Sequence, residues 1–143
     1  VEAAIARKST ITEKEKSSPQ DTDGAKQFAI EAARLAANTR CNNVVVLDVR
    51  GISPITDYFV IATGTSPRQM RSVADEIAEF GEKKDFAALS QSGYDGESWI
   101  LSDFVDVVLH LFSPDARQYY DLEGLWGDAK RVEWNDGTAA AKQ

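Results

Sequence analysis

The chain has a single cysteine, a single histidine and a single methionine. With Cys41 alone, no disulfide can close within the chain and a cysteine-rich metal site is excluded, which fits a reducing compartment. Long apolar runs are also missing. None approaches the ~20 residues that cross a bilayer, so no membrane partner is expected. The start lacks the apolar core of a secretory signal. Arg7, Lys8 and several Ser and Thr have the flavour of an organellar transit peptide, but Glu2, Glu13 and Glu15 argue against it, and a bacterial, cytoplasmic protein is expected. Positive charge is scarce too: 16 Lys and Arg stand against 23 Asp and Glu, a net charge of −7. Phosphate neutralisation needs clustered cations, so little direct nucleic-acid contact is expected. A basic protein would be the better match for such a surface.

What is present suffices for a one-domain core: 143 residues, 43% of them hydrophobic. Residues 1–23 are polar, with Lys14-Glu15-Lys16 and Ser17-Ser18-Pro19, and read as a flexible arm. Residues 24–127 alternate helix and strand patterns. Asp23 is placed to cap a helix with Phe28, Ala32, Leu35 and Ala36 on one face. Val44 to Val49 is almost wholly apolar and rich in valine, as in a strand buried on both faces. Tyr58 to Thr63 is a second strand. Ser66-Pro67-Arg68-Gln69 is a helix start with a capping Ser, a first-turn Pro and a Gln three residues after the cap, and Met70, Val73, Ala74 and Ile77 form the buried face. Ala87 to Gln91, Ser98 to Leu101 and Val105 to Phe112 read as three further strands. Ser113-Pro114-Asp115 opens a final helix. Residues 128–143 form a C-terminal tail in which Val132 and Trp134 could make a short edge strand or cap, before a turn signal at Asn135-Asp136-Gly137. The sum is an α/β (α+β) domain, a mixed sheet of about five strands flanked by helices.

Few residues point to chemistry. Gly64-Thr65-Ser66, between a strand and a helix, could hold an anion, but no Walker-type Lys follows and an ordinary helix cap accounts for the same residues. Asp48, Asp57, Asp103 and Asp106 lie in or beside strands. Metal-assisted phosphoryl transfer needs carboxylates that converge. Asp75 and Glu76 are adjacent on a helix, about 100° apart, and Asp103 and Asp106 fall on opposite faces of a regular strand. Asp57 and Asp103 are better suited to bonding nearby backbone amides. His110 lacks the partners of a triad or a metal site and reads as a satisfied structural residue, and Cys41 has no base beside it. No catalytic residue, cofactor or metal is expected.

The segment from Tyr119 to Trp126 is denser in signal. Read as one helix, it puts Tyr119, Leu122 and Trp126 on an apolar face, leaves Tyr120 off that stripe, and turns Asp121 and Glu123 to water. Trp99 follows a turn at Tyr94-Asp95-Gly96-Glu97 and opens the strand Trp99-Ile100-Leu101. Together, Trp99, Ile100, Tyr120, Leu122, Leu125 and Trp126, with Asp103 and Asp121 as acidic neighbours, make a candidate partner-binding patch.

Three segments taken in order, Leu47 to Ser66, Trp99 to Phe104 and Tyr119 to Trp126, resemble the Iojap family, the ribosomal silencing factors of bacteria and organelles. The resemblance covers roughly residues 24–126 and implies a nucleotidyltransferase-like topology. It implies a non-enzymatic regulator that docks on the large ribosomal subunit, through the basic ribosomal protein numbered fourteen, and sterically blocks joining with the small subunit, repressing translation. Self-association as a homodimer is implied as well. In nucleotidyltransferases a Gly-Ser leads into a helix and then to two aspartates spaced by one residue on a strand. That pair is missing here, which leaves a nucleotide-dependent transferase as the alternative reading.

Overall fold

A computed structural model of the chain describes residues 22–135. The first 21 residues of the expected arm, 1–23, and the end of the tail beyond Asn135 lie outside the described residues, while Thr22 and Asp23 already belong to the first helix, so Asp23 sits within that helix instead of capping it. The chain runs α1 (Thr22–Asn38), β1 (Asn42–Asp48), β2 (Tyr58–Thr63), α2 (Pro67–Lys83), β3 (Ser90–Ser92), β4 (Trp99–Asp103), β5 (Val107–Phe112), α3 (Pro114–Tyr120), α4 (Leu122–Leu125) and β6 (Lys130–Arg131). The six strands form one sheet in the order β3-β4-β5-β2-β1-β6. β2 and β5 pair in parallel, and the other neighbours are antiparallel. The mixed α+β sheet is as the sequence predicts, with one strand more. The extra strand comes from the tail: β6 pairs with the outer edge of β1, Val132 donates its N–H to the Val46 carbonyl, and Trp134 donates its indole N–H to the Val44 carbonyl at 3.1 Å.

Strand residues alternate between two apolar layers, because successive side chains leave opposite faces of a strand. Val44, Val46, Tyr58, Val60, Ala62, Leu109 and Leu111 face α1 and α2. Six alanines of α1, from Ala25 to Ala37, are buried against them, and their small side chains let the helix lie close to the sheet. Phe28 anchors that layer, with its ring 4.8 Å from that of Phe86 and 5.0 Å from that of Phe104. α2 starts as its sequence predicts. Ser66 Oγ accepts the Gln69 N–H at 3.0 Å, Pro67 occupies the first turn, and Met70, Val73, Ala74 and Ile77 are buried. Gly81 ends its buried face: a Cβ there would run into the Phe86 carbonyl and crowd the rings of Phe104 and Phe28.

Three expected boundaries are corrected. β5 begins at Val107, not Val105, because Val105 sits at φ 75° in a tight connection where Asp103 Oδ1 accepts its N–H at 2.8 Å. The weak strand over Ala87 to Gln91 moves to Ser90–Ser92. The final helix breaks at Asp121, which adopts φ 45°, ψ 56°.

Candidate functional site

The opposite face of the sheet presents Val45, Leu47, Phe59, Ile61, Trp99, Leu101, Val108 and Phe112. Among the described residues, the short helices α3 and α4 and the segment just after them cover it. Their geometry follows from local sequence. Ser113 Oγ accepts the Ala116 N–H at 3.2 Å and Pro114 opens the first turn, so α3 starts where β5 ends. Asp121 then does two jobs. Its left-handed backbone ends α3, and its carboxylate accepts the Gly124 N–H at 3.2 Å to cap α4. Aspartate tolerates that backbone because its short side chain bonds locally. Across the break, the Arg117 guanidinium grips Glu123 with two bonds of 3.0 and 2.7 Å and reaches Thr63 Oγ1 on β2 at 2.8 Å. The Arg117 hydrogen bond holds the Glu123 carboxyl below its ordinary range.

This break resets the helical phase, and it corrects the expected stripe. Tyr120 turns inward, its ring centroid 4.6 Å from that of Trp99 and 6.2 Å from that of Phe112. Leu122 is buried, and Trp126 lies edge-on to Phe59 at 5.3 Å. Tyr119 and Leu125 point outward, 80% and 74% exposed. The residues expected to form one patch therefore separate by depth. Trp99, Ile100 and Asp103 are 3%, 1% and 3% exposed and cannot meet a partner directly; Ile100 even faces the other layer, among the residues packed under α1 and α2. The structure brings Tyr120, Leu122 and Trp126 onto one apolar layer, Tyr120 against Trp99 and Trp126 against Phe59, with Asp121 and Leu125 at the surface. Trp99 reads as a rim residue in the sequence because it follows a turn, yet α3 crosses over it.

His110 faces this layer beside Phe59 and Trp99. Its Nδ1 accepts the Trp99 indole N–H at 3.1 Å, and burial pushes its pKa down to about 3. Cys41 is buried as well, which raises its thiol pKa and makes it a poor nucleophile.

The other candidate sites are taken up by protein groups. At Gly64-Thr65-Ser66, Gln69 Oε1 accepts the Thr65 N–H at 3.0 Å, alongside the Ser66 cap on the Gln69 N–H, so side-chain oxygens fill the place an anion would take. Asp48 is held by both arms of Arg50, at 2.9 and 2.7 Å, and this pairing lowers its pKa. Asp75 accepts from the Tyr94 hydroxyl at 2.9 Å. Among the described residues, no group of three or more His, Cys, Asp and Glu could hold a metal ion. No helix among them is long and apolar enough to cross a membrane.

The family model described as "ribosomal silencing factor during starvation" matches residues 22–143. Ribosomal silencing factor RsfS of Bacillus subtilis is 38% identical over 106 residues, covering 74% of this chain and 90% of that protein. The chloroplastic protein Iojap of Arabidopsis thaliana is 35% identical over 106 residues, 74% of this chain but 44% of the longer plant protein. Crystal structures of proteins from Chromobacterium violaceum and Bacillus halodurans superpose with TM-scores of 0.66 and 0.64 at 28% and 33% identity. They cover 84% and 78% of this chain, and 95% and 98% of the compared chains.

Proposed function

Because the chain belongs to the RsfS family of ribosomal silencing factors, we propose that it binds the large ribosomal subunit and keeps the small subunit from joining, without chemistry of its own. The partner on the subunit is the basic ribosomal protein numbered fourteen, as the resemblance implies. The observation that carries this reading is the match to the silencing-factor family over residues 22–143, joined to an acidic chain with an apolar, aromatic surface at α3 and α4. Leu125 and Tyr119 project there, Tyr120 and Trp126 are half-buried beside them, and Asp121 and Asp115 add negative charge. Large apolar groups with acidic neighbours suit a basic protein surface, and net negative charge disfavours bare RNA.

The mechanism is exclusion. A compact chain of this length has a radius of gyration of roughly 15 Å, so a copy seated on the joining face of one subunit fills the gap that a bridge needs. At about 100-fold excess over its dissociation constant, such a competitor opposes joining by ~2.7 kcal/mol. Action in a bacterial cytoplasm and self-association through the same family likeness belong to this reading.

Sedimentation tests it. The tagged protein is mixed with separated subunits and, in parallel, with joined ribosomes. Recovery with free large subunits only is expected. Equal recovery in the joined-ribosome peak would overturn steric exclusion.

A further inference from the structure

After α4 the chain crosses the edge of the sheet. Trp126 donates its N–H to the Leu122 carbonyl and Ala129 donates its N–H to the Trp126 carbonyl, both at 3.0 Å, so α4 runs directly into a turn. Trp126 and Ala129 still pack on the layer beneath α3 and α4. Lys130 and Arg131 then pair with Asp48 and Leu47 on the outer edge of β1. Val132 and Trp134 already belong to the opposite layer, the one packed with α1 and α2. Between Ala129 and Val132 the segment therefore passes from one face of the sheet to the other.

Trp134 fastens the far end of this strap. It is 7% exposed, its indole N–H donates to the Val44 carbonyl of β1 at 3.1 Å, and its own carbonyl accepts the Arg34 Nε–H of α1 at 2.8 Å. A covered aromatic of this size buries roughly 150–250 Å². The two residues of β6, by contrast, are both exposed. At the near end, α4 has four residues. Isolated helices shorter than ~12–15 residues are marginal in water, so α4 depends on what holds its ends. The left-handed Asp121 denies it the support of a continuing α3. Arg131 of the strap lines one cleft with Arg117 and Glu123, and its charge adds to the pull that keeps the Glu123 carboxyl low.

We infer that Trp134 is a positioning residue for the docking surface: seated in the layer on the far face of the sheet, it ties down the strap of residues 127–134 and so holds α4 and Trp126 in the arrangement a partner meets. Its ring is buried among the residues packed with α1 and α2, so it acts through the strap and not by touching that partner. A segment already ordered need not be ordered by the partner on arrival, and the affinity that ordering would cost is kept. The inference rests on the ribosome reading for the identity of the partner, the large subunit, and not for the tie itself.

Amide exchange and affinity for large subunits are measured on the full chain as parent, Trp134→Ala, Trp134→Phe and Ile77→Ala. Ile77→Ala loosens the same layer where α2 packs on β4 and β5, away from the β1 edge, and controls for lost stability. Trp134→Ala is expected to speed exchange at Trp126 and Ala129 by at least about tenfold. It should weaken large-subunit binding by at least about fivefold. Ile77→Ala should speed exchange in β2 and β5, which open with the whole fold, and leave those two amides and the affinity at parental values. Trp134→Phe keeps a ring in place and drops the Val44 bond, so it should fall between parent and alanine variant. It carries the same test if Trp134→Ala does not fold. Parental exchange at Trp126 and Ala129 in the Trp134 variants would overturn the inference, as would fast exchange there with parental affinity. An equal loss of affinity in Ile77→Ala would reduce Trp134 to general stability and overturn it too. A parent that binds no large subunits would overturn the ribosome reading instead, and the exchange measurements would still decide whether Trp134 holds α4.

Discussion

The rings of Tyr120 and Trp99 lie 4.6 Å apart, centroid to centroid, tilted by 47°. One is a partly exposed residue at the end of α3, the other a buried residue at the start of β4. Trp99 also contacts Phe112 at 4.8 Å and donates to His110, so it is the floor on which the surface aromatic rests. A change at either residue therefore acts on folding before it acts on binding.

Trp99→Ala is expected to destabilise the chain by about 3–5 kcal/mol, the usual cost of emptying a buried indole. Trp99→Phe keeps most of the ring but strips His110 Nδ1 of its donor, at a cost of about 1–3 kcal/mol. Tyr120→Ala should lose less than Trp99→Ala, because only part of that ring is covered. Urea melts of the three variants check the order, and a Trp99→Ala protein as stable as the parent would contradict the packing described.

Much of this fold is readable from residue pattern, and the reasons are local. Valine-rich β1 and the alternating faces of β2 and β5 follow from strand periodicity. The Ser-Pro starts of α2 and α3 follow from capping chemistry, and both caps form as their sequences indicate. The candidate surface is less readable, for one physical reason. A helical stripe can be projected only while the helix continues, and Asp121 interrupts it. The signal lies in the sequence, as an Asp three residues before Gly124 and able to take a left-handed backbone, but the apolar run around it masks the break. The depth of Trp99 was hidden for another reason, since it depends on α3 crossing from a distant part of the chain.

Arg117 and Glu123 should behave as a clamp on that break. Glu123→Gln removes the charge of a paired carboxylate that is largely covered on both sides, side chains 11% and 24% exposed. A loss of about 1–2 kcal/mol is expected, with amide exchange rising first in residues 121–126. Unchanged exchange there would show that packing alone holds α4.

The pH dependence of stability should carry the mark of His110. Its folded pKa, about 3, is depressed from 6.5, so the unfolded chain binds a proton that the folded chain refuses. Stability is complete above about pH 6.5 and falls as pH drops toward 3, by up to ~1.4 kcal/mol per unit. Asp48 and Glu123 are depressed carboxylates and also lose stability in acid, but from the lower starting values of 3.8 and 4.5. Melting curves between pH 7 and 5 therefore isolate the histidine. His110→Gln should flatten that slope, and a parent whose melting point is constant across the window would mean that His110 protonates without penalty.

Gly81→Ala tests the helix layer. The added methyl meets backbone at Phe86, which cannot swing aside as a long side chain can. Overpacking of this kind costs about 1–3 kcal/mol, and the gain in helix propensity of about 1 kcal/mol does not cancel its upper range. A net stabilisation would show that the 84–86 turn is free to shift.

The sharpest functional test uses the outward-facing residues, where folding and binding come apart. Leu125 and Tyr119 are 74% and 80% exposed, so truncation to alanine should leave stability within about 0.5 kcal/mol of the parent. If this surface anchors the large subunit, an anchor there is worth about 2 kcal/mol, a roughly thirtyfold loss of affinity. Tyr120→Ala should lose binding too, but together with melting temperature, because its ring also covers Trp99. The expected pattern is thus binding loss without destabilisation at Leu125 and Tyr119, and both effects at Tyr120. Pull-down of large subunits by each variant, read beside its melting curve, checks this. Full binding by Leu125→Ala and Tyr119→Ala at parental stability would move the docking surface away from α3 and α4 while leaving the family membership untouched.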